Sequence, residues 1–445
     1  MRPRIGILLC LAPAAAAQSY FIEDIGTLSA TASDGVRAAA INNRGQVHGE
    51  NDKTAPGGAG VQWRSYLWDG AVQHEIFPAV SGSTWSGGVN DSSYCVGKYT
   101  VNTLSMHGYF WHYGPIFDVD IGTRDFTHIH DVNVDGNCVG TFTSDQVWGY
   151  VYRYHAFVFT PAGLWLDLGT LGGYESRGRA LNDWNQAVGW ARDAAGHHLG
   201  FLWTWPTGMV DIGNLGGFYC DPEDLDNWGR IVGASADPLG NYRPFLWENG
   251  VMNDLGTLGG TAGRARGIND FGVVVGTARD ASETGRAVIW ENGSVADLNS
   301  LIAPGSGWEL TGARDINELG EIAGTGLRNG VQRAYRLTPI LARPRLSGFQ
   351  PGFAGRNNTL FGIGFTPGAT VEIYAGFVPG STVVPCGATV DIGNAFILGA
   401  LSADASGRIE GSLYLPSLAS GLRAYLQSVE PPICGTGERL TQQLQ

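Results

Sequence analysis

Apolar and polar residues alternate along most of this chain, and apolar residues seldom recur every three or four positions. Short β-strands, not helices, are therefore expected throughout. The alternation is itself periodic. DLGTLGG at 167–173, DIGNLGG at 211–217 and DLGTLGG at 254–260 begin 44 and 43 residues apart. Each block leads into an Asn- or Asp-centred turn, a β-rich run and an aromatic segment such as Phe201-Leu202-Trp203. Repeats of this length denote solenoids, propellers or arrays.

One anchor finds every copy of the unit: an apolar residue, then Asn or once Asp, with glycine seven positions later. It occurs at Asn42/Gly49, Asn90/Gly97, Asn133/Gly140, Asn182/Gly189, Asp226/Gly233, Asn269/Gly276 and Asn317/Gly324. Three residues after the anchors stand Gly45, Ser93, Gly136, Asn185, Gly229, Gly272 and Gly320. Glycine and asparagine tolerate the positive φ of a tight hairpin, so Ser93 is expected to mark a strained or remodelled turn. The anchoring side chain can bond the backbone two residues on and close the turn.

Each unit then reads as an inner strand, a second strand, a third carrying an aromatic cluster, and a fourth. The clusters fall at 66–68, 109–111, 157–159, 201–203, 245–247 and 288–290, with a degenerate copy at 334–337. Four strands in about 45 residues is the size of one propeller blade. The fourth strand follows only six units, at 72–77, 117–122, 165–169, 209–213, 251–256 and 294–298; a seventh copy, 21–26, stands alone ahead of the first unit. It is expected to pair as the outer strand of the last blade, closing the ring by backbone hydrogen bonds. The expected fold is all-β: a seven-bladed β-propeller over 18–340 closed by the N-terminal strand. The aromatic clusters would fill the wedges between blades.

Pro339 and Pro344 bracket 341–346 and are expected to end regular pairing. Beyond them the repeat is gone. β-like runs at 359–365, 370–374, 408–415 and 424–428, separated by Pro-Gly turns, predict a small Ig-like β-sandwich over 341–445.

Composition adds location. Arg2 and Arg4, the apolar run 5–11 and Ala15-Ala16-Ala17 read as a secretory signal peptide spanning 1–17. Cys10 lies mid-run, which argues against a lipoprotein anchor, and no later stretch approaches the roughly 20 apolar residues of a membrane span. The formal charge is −13, and loss of the leader makes it two units more negative. Such a chain repels nucleic acid and anionic membrane surfaces, so neither is an expected partner. A monomer is expected.

These residues resemble the HAF-repeat family of bacterial extracellular proteins. The naming tripeptide stands at His155-Ala156-Phe157, alongside DLGTLGG and the Asn-to-Gly anchor, and the likeness covers about residues 20–340. Elsewhere the His-Ala position reads Arg64-Ser65, His107-Gly108, Leu199-Gly200, Arg243-Pro244, Arg286-Ala287 and Arg333-Ala334. The resemblance implies a secreted or cell-envelope protein of propeller-like repeats, exported through a Sec-type leader. It carries no catalytic residues.

Candidate chemistry is sparse. Cys386 and Cys434 are the only pair in the tail and are expected to form a disulfide, the default state in an exported protein. Cys95 and Cys138 sit at equivalent positions of neighbouring units, about 10 Å apart, beyond the Cα range a disulfide accepts; they read as small buried hydrophobes, leaving Cys220 unpaired. Residues 131–136, DVNVDG, match the opening of a calcium loop, but the twelfth position is Phe142 and the same register is the ordinary repeat turn elsewhere. No metal or cofactor is expected. His128 and His130 stand two apart on one face of a strand, with Asp131 read as facing away. Three and five residues before the anchors fall His128, His130, Arg177, Arg179, Arg264, Arg266 and Arg314, with Arg37, Asp221 and Glu223. They should gather at one mouth of a central channel, either ion-paired with Asp131, Asp224 and Asp315 or forming a cationic mouth for an anion. No GxSxG, HExxH or phosphate loop appears. The function expected is therefore a secreted binding or surface-interaction module for an extracellular glycan, small anion or protein; the alternative is a propeller hydrolase or lyase acting at the channel mouth.

Overall fold

A computed structural model describes residues 20–443 apart from 29–34, 55–60, 78–81, 103–104, 120–125, 148–150, 342, 351–355, 385, 387–388, 416–422, 431–434 and 437–439. The expected signal peptide lies outside the described residues. So does Cys434, and with it the expected bond to Cys386.

Up to Pro339 the described chain forms seven four-stranded antiparallel sheets. Their inner strands, in order, are Val36–Ile41, Thr84–Val89, Thr127–Val132, Gly172–Leu181, Cys220–Leu225, Gly259–Ile268 and Trp308–Ile316. Within the first six sheets the strands follow chain order. The seventh takes three strands from the end of the repeat, and its outer edge is Tyr20–Asp24, which runs antiparallel to Val331–Pro339 from Tyr20↔Pro339 to Asp24↔Tyr335. Each inner strand contacts the next, and the last contacts the first.

The anchors knit these sheets together. Each side-chain carbonyl closes its own turn; Asn182 Oδ1, for example, accepts from the amides of Trp184 (3.1 Å) and Gln186 (3.0 Å). Each side-chain amide reaches the next sheet. Asn42 Nδ2 donates to Asn90 O, Asn90 to Asn133 O, Asn133 to Asn182 O, and Asn182 to Asp226 O. Asn269 donates to Asn317 O, and Asn317 returns to Asn42 O at 2.9 Å. Asp226 has no amide to offer. Arg230 replaces it, bonding Asp226 Oδ2 through Nε at 2.5 Å and Asp270 O through Nη2 at 2.9 Å.

Two features of the repeat have steric causes. The third residue after every anchor has positive φ, between 60° at Asn185 and 80° at Gly136. Ser93 shares it at 65°, so its turn is not remodelled, and its Oγ bonds Gln46 Oε1 at 2.7 Å. The glycine seven residues after each anchor is required for a different reason. A Cβ there would overlap the carbonyl oxygen of the inner-strand residue five before the anchor, from Arg37 O at Gly49 to Gly312 O at Gly324. The pairing register slips beside each of these contacts, leaving one inner-strand residue bulged out of the ladder.

The DLG and DIG turns have a common lock. Asp24, Asp167, Asp211 and Asp254 each accept from the glycine amide two residues on, at 2.8–2.9 Å. The His-Ala position of the repeat serves this fourth strand: His155 reaches Asp167 at 2.9 Å, His107 reaches Asp118 at 3.1 Å, and Arg243 reaches Asp254 at 2.8 Å.

The tail forms a three-stranded sheet (Arg345–Gln350, Arg356–Ile363, Ile409–Leu415), a sheet around Thr370–Gly376 and Arg423–Glu430, and the hairpin Val378–Val383/Thr389–Gly393. Pairing resumes at Arg345, within the stretch expected to be unpaired. Leu346, Leu360, Val371, Ile373 and Leu426 form its core. The tail sits on the turns of the first and seventh sheets. Arg408 grips both Glu321 oxygens at 2.7 Å and Asn43 O at 3.1 Å, and Arg44 pairs with Glu410 at 2.6 Å.

Candidate functional site

The bulges decide what faces the space enclosed by the inner strands. In a regular strand consecutive side chains point to opposite faces, but a bulge re-aims one of them. Here the bulged residue and its successor both line a cavity of about 270 Å³: His130 with Asp131, Arg179 with Ala180, Glu223 with Asp224, and Arg314 with Asp315. Asp131 thus shares the cavity with His130, contrary to the regular-strand expectation.

Of the seven expected site residues, His130, Arg179, Arg266 and Arg314 line this cavity, together with Arg37 and Glu50. The other three do not. Arg177 stacks over Tyr154 and Trp190 and pairs with Glu175 at 3.0 Å. Arg264 binds Asp221 at 2.6 Å and also Glu223. His128 is half-buried and packs against His130, their ring centroids 3.8 Å apart. Burial, reinforced by nearby cations, pushes both imidazoles well below their ordinary range, so they are neutral.

The ion pairs differ from those expected. Arg179 lies 3.8 Å from Asp221, Arg266 lies 3.4 Å from Glu223, and Arg37 lies 3.8 Å from Glu50. Arg314 forms no ion pair among the described residues. Asp131, Asp224 and Asp315 pair with none of the arginines. Each instead accepts the amide of the next sheet's inner strand: Leu181 N at 3.0 Å, Ile268 N at 2.9 Å and Ile41 N at 2.8 Å. Desolvation raises Asp131 to about 6 and Asp315 to about 7, and holds Asp224 well above the ordinary carboxylate range, the Asp315 charge adding to the shift. Small residues stand at this position in the other four sheets (Ala40, Gly88, Ala180, Gly267), and Asp131 and Asp315 fill the space beside two of them.

Sequence reasoning missed Glu50 and Lys98. Both lie eight residues after an anchor, on the second strand, opposite the residue five before it. Lys98 sits over Trp85 and Phe126, and burial lowers its pKa. A charge recurring at that offset was the available signal. The 131–136 segment makes the ordinary turn, with Asn133 Oδ1 accepting from Asp135 N and Asn137 N. Among the described residues no three His, Cys, Asp or Glu side chains are grouped to hold a metal. Cys95, Cys138 and Cys220 are buried thiols, Cys220 pushed up to about 12 by desolvation. No described helix is long and apolar enough to cross a membrane.

Four-stranded sheets set side by side around one axis place the chain among propeller-like all-β proteins. No family model and no curated protein matches the sequence. Similar solved structures include TolB from Acinetobacter baumannii, at 12% identity over 69% of this chain and 63% of that one, with TM-score 0.36. A fungal alcohol oxidase of the AA5 family, in complex with copper, aligns at 11% identity over 96% and 99% of the two chains, with TM-score 0.45. The β-propeller domain of the Trilobed protease from Pyrococcus furiosus, described as having an open velcro topology, aligns at 7% identity over 60% and 95%, with TM-score 0.34.

Proposed function

We propose that this chain is an exported seven-bladed β-propeller of the HAF-repeat kind, with a C-terminal β-sandwich, and that its axial cavity binds a small anion. Support for the blade count comes from the seven sheets and the circuit of anchor bonds that returns from Asn317 to Asn42. The pairing of Tyr20–Asp24 with Val331–Pro339 supports closure by the N-terminal strand.

The observation that carries the anion reading is the guanidinium excess. Arg37, Arg179, Arg266 and Arg314 face the cavity against Glu50 and Glu223. The remaining carboxyls there, Asp131, Asp224 and Asp315, are partly neutralised near pH 7 by their raised pKa values. A guanidinium with no carboxylate partner in a confined space favours an anionic ligand. Hydrolase or lyase chemistry calls for acid and base groups without structural partners. In this cavity the three aspartates hold backbone amides, which favours binding over catalysis.

Thermal shift and calorimetry with citrate, sulfate and inorganic phosphate on the full chain and on Arg314→Gln test this. At least one anion should raise the melting temperature, and more so at pH 6 than at pH 8, because a native-state ligand stabilises in proportion to its occupancy. Arg314→Gln should keep its ligand-free melting temperature and bind about tenfold more weakly. Absence of any shift, or equal binding by both proteins, overturns the reading.

A further inference from the structure

Away from the axis, on the turn side of the third, fourth and fifth sheets, lies a groove of about 970 Å³. Three indoles stand in it: Trp184, Trp205 and Trp228, which are 40%, 77% and 48% exposed. Trp203, buried in the same groove, is part of the core between the third and fourth sheets. The polar groups around them are all neutral: the amides of Asn137, Asn185, Gln186 and Asn227, and the hydroxyls of Thr160 and Thr204. In a chain of net charge −13, no charged side chain among the described residues lines this groove.

The fold does not require these tryptophans. Trp184 and Trp228 occupy the second position after their anchors, and the same turn is made by Arg44, Ser92 and Asp135 in the first three units. Exposing a large apolar ring forgoes the free energy that its burial would release. Equivalent positions where the tail docks are used otherwise: Leu319 is fully buried and Arg44 is ion-paired to Glu410. Among the described residues, the exposed indoles are Trp184, Trp205 and Trp228, all on turns away from these tail contacts.

The amides are preset. Asn185 Oδ1 accepts from Asn133 Nδ2 at 3.0 Å and Asn137 Nδ2 at 2.7 Å, and Gln186 Oε1 accepts from Asn182 Nδ2 at 2.8 Å. With the oxygens so engaged, each side chain's remaining polar group is its NH₂ donor. Flat amphipathic rings beside fixed neutral donors and acceptors suit a ligand with apolar C–H faces and equatorial hydroxyls. A charged polymer would find no counter-charge, and a purely apolar ligand would strand the amides without partners.

We propose that this groove binds a neutral oligosaccharide, its sugar faces on Trp184 and Trp228 and its hydroxyls on the amides between them. The two rings, on adjacent units, are about one sheet-to-sheet interval apart, roughly 10 Å, so the site spans more than one sugar residue. This inference is independent of the axial anion site.

The test titrates the full chain with cellohexaose, xylohexaose, maltohexaose and chitohexaose, following tryptophan fluorescence and heat. At least one should bind saturably at about 1 mM or below. Trp184→Ser and Trp228→Ser borrow the residue that makes the same turn at Ser92, so both should fold with unchanged circular dichroism. Each should weaken that sugar about tenfold or more, while Arg314→Gln leaves it unaffected. Failure of all four sugars, or full binding by the Trp184→Ser/Trp228→Ser double variant, overturns the proposal. Sedimentation that shows self-association dispersed by the same double variant would assign the groove to a second copy of the chain, and overturns it equally.

Discussion

At the scale of single residues, Asp226 and Arg230 show how one substitution in a repeat is compensated by another. In the first and fourth units the anchor is Asn with Gln four residues on, and the two amides bond each other, as Asn42 and Gln46 do at 2.7 Å. Asp226 is buried and raised to about 6 despite its pairing with Arg230. Removing one partner of a buried pair costs about 3–5 kcal/mol. Arg230→Gln alone should lose stability on that order in chemical denaturation, and adding Asp226→Asn should recover most of it by restoring the Asn/Gln solution. No recovery in the double variant would show that the guanidinium's bonds to the sixth sheet matter beyond charge pairing. Anchors and positive-φ positions were legible because each leaves a residue-type signature. Side-chain direction at Asp131 was not, since strict alternation turns it away from His130 and the bulge brings both to the cavity. The exposed turn tryptophans were overlooked for another reason: the aromatic signal of the third strands dominated the reading.

Elements show the same division. Counting fourth strands was enough to single out residues 21–26, because a β-strand with no partner beside it in sequence must find one elsewhere. Tyr20–Asp24 lies against Val331–Pro339, with Arg336 clasping Glu23 at 2.6 Å and Arg328 clasping Asp24 at 2.6 Å. Phe21 faces Thr338 across the pair. Cysteines at both positions fall within the Cα range a disulfide accepts, and should cross-link on oxidation and raise resistance to urea by up to about 5 kcal/mol, the entropic value for so long a loop. A chain that stays reduced under oxidising conditions would place the N-terminal strand elsewhere. The tail was less legible. Val378–Val383 contains Pro379-Gly380, which reads as a turn in isolation but pairs as part of a hairpin.

For the whole molecule, buried charge predicts an unusual response to pH. Glu50, Asp91, Asp131, Asp183, Asp224, Asp226, Asp270, Asp315 and Glu318 are all raised by desolvation, Asp183 and Asp315 to about 7. Each binds its proton more tightly folded than unfolded. Its contribution is complete below the unfolded value near 4 and is lost as pH rises through the folded one. His48 and His198, lowered to about 4, and His128 and His130, lowered well below the ordinary imidazole range, act in the opposite sense, but only as pH falls below about 6.5. Between pH 6.5 and 8 the histidines no longer offset the carboxyls, so the melting temperature should drop by several degrees across that interval. A flat or rising profile by calorimetry would mean the buried carboxyls are hydrated or paired in solution.

The lone strand at the start of the repeat also sets a timetable. Tyr20–Asp24 is made first, yet its partner Val331–Pro339 emerges some 300 residues later. Until then its backbone donors and acceptors have no ladder to join, and the loop that must close spans nearly all seven sheets. Synthesis order and assembly order are thus reversed. A chain cut short anywhere before the seventh sheet would be left with a beginning that has nowhere to go.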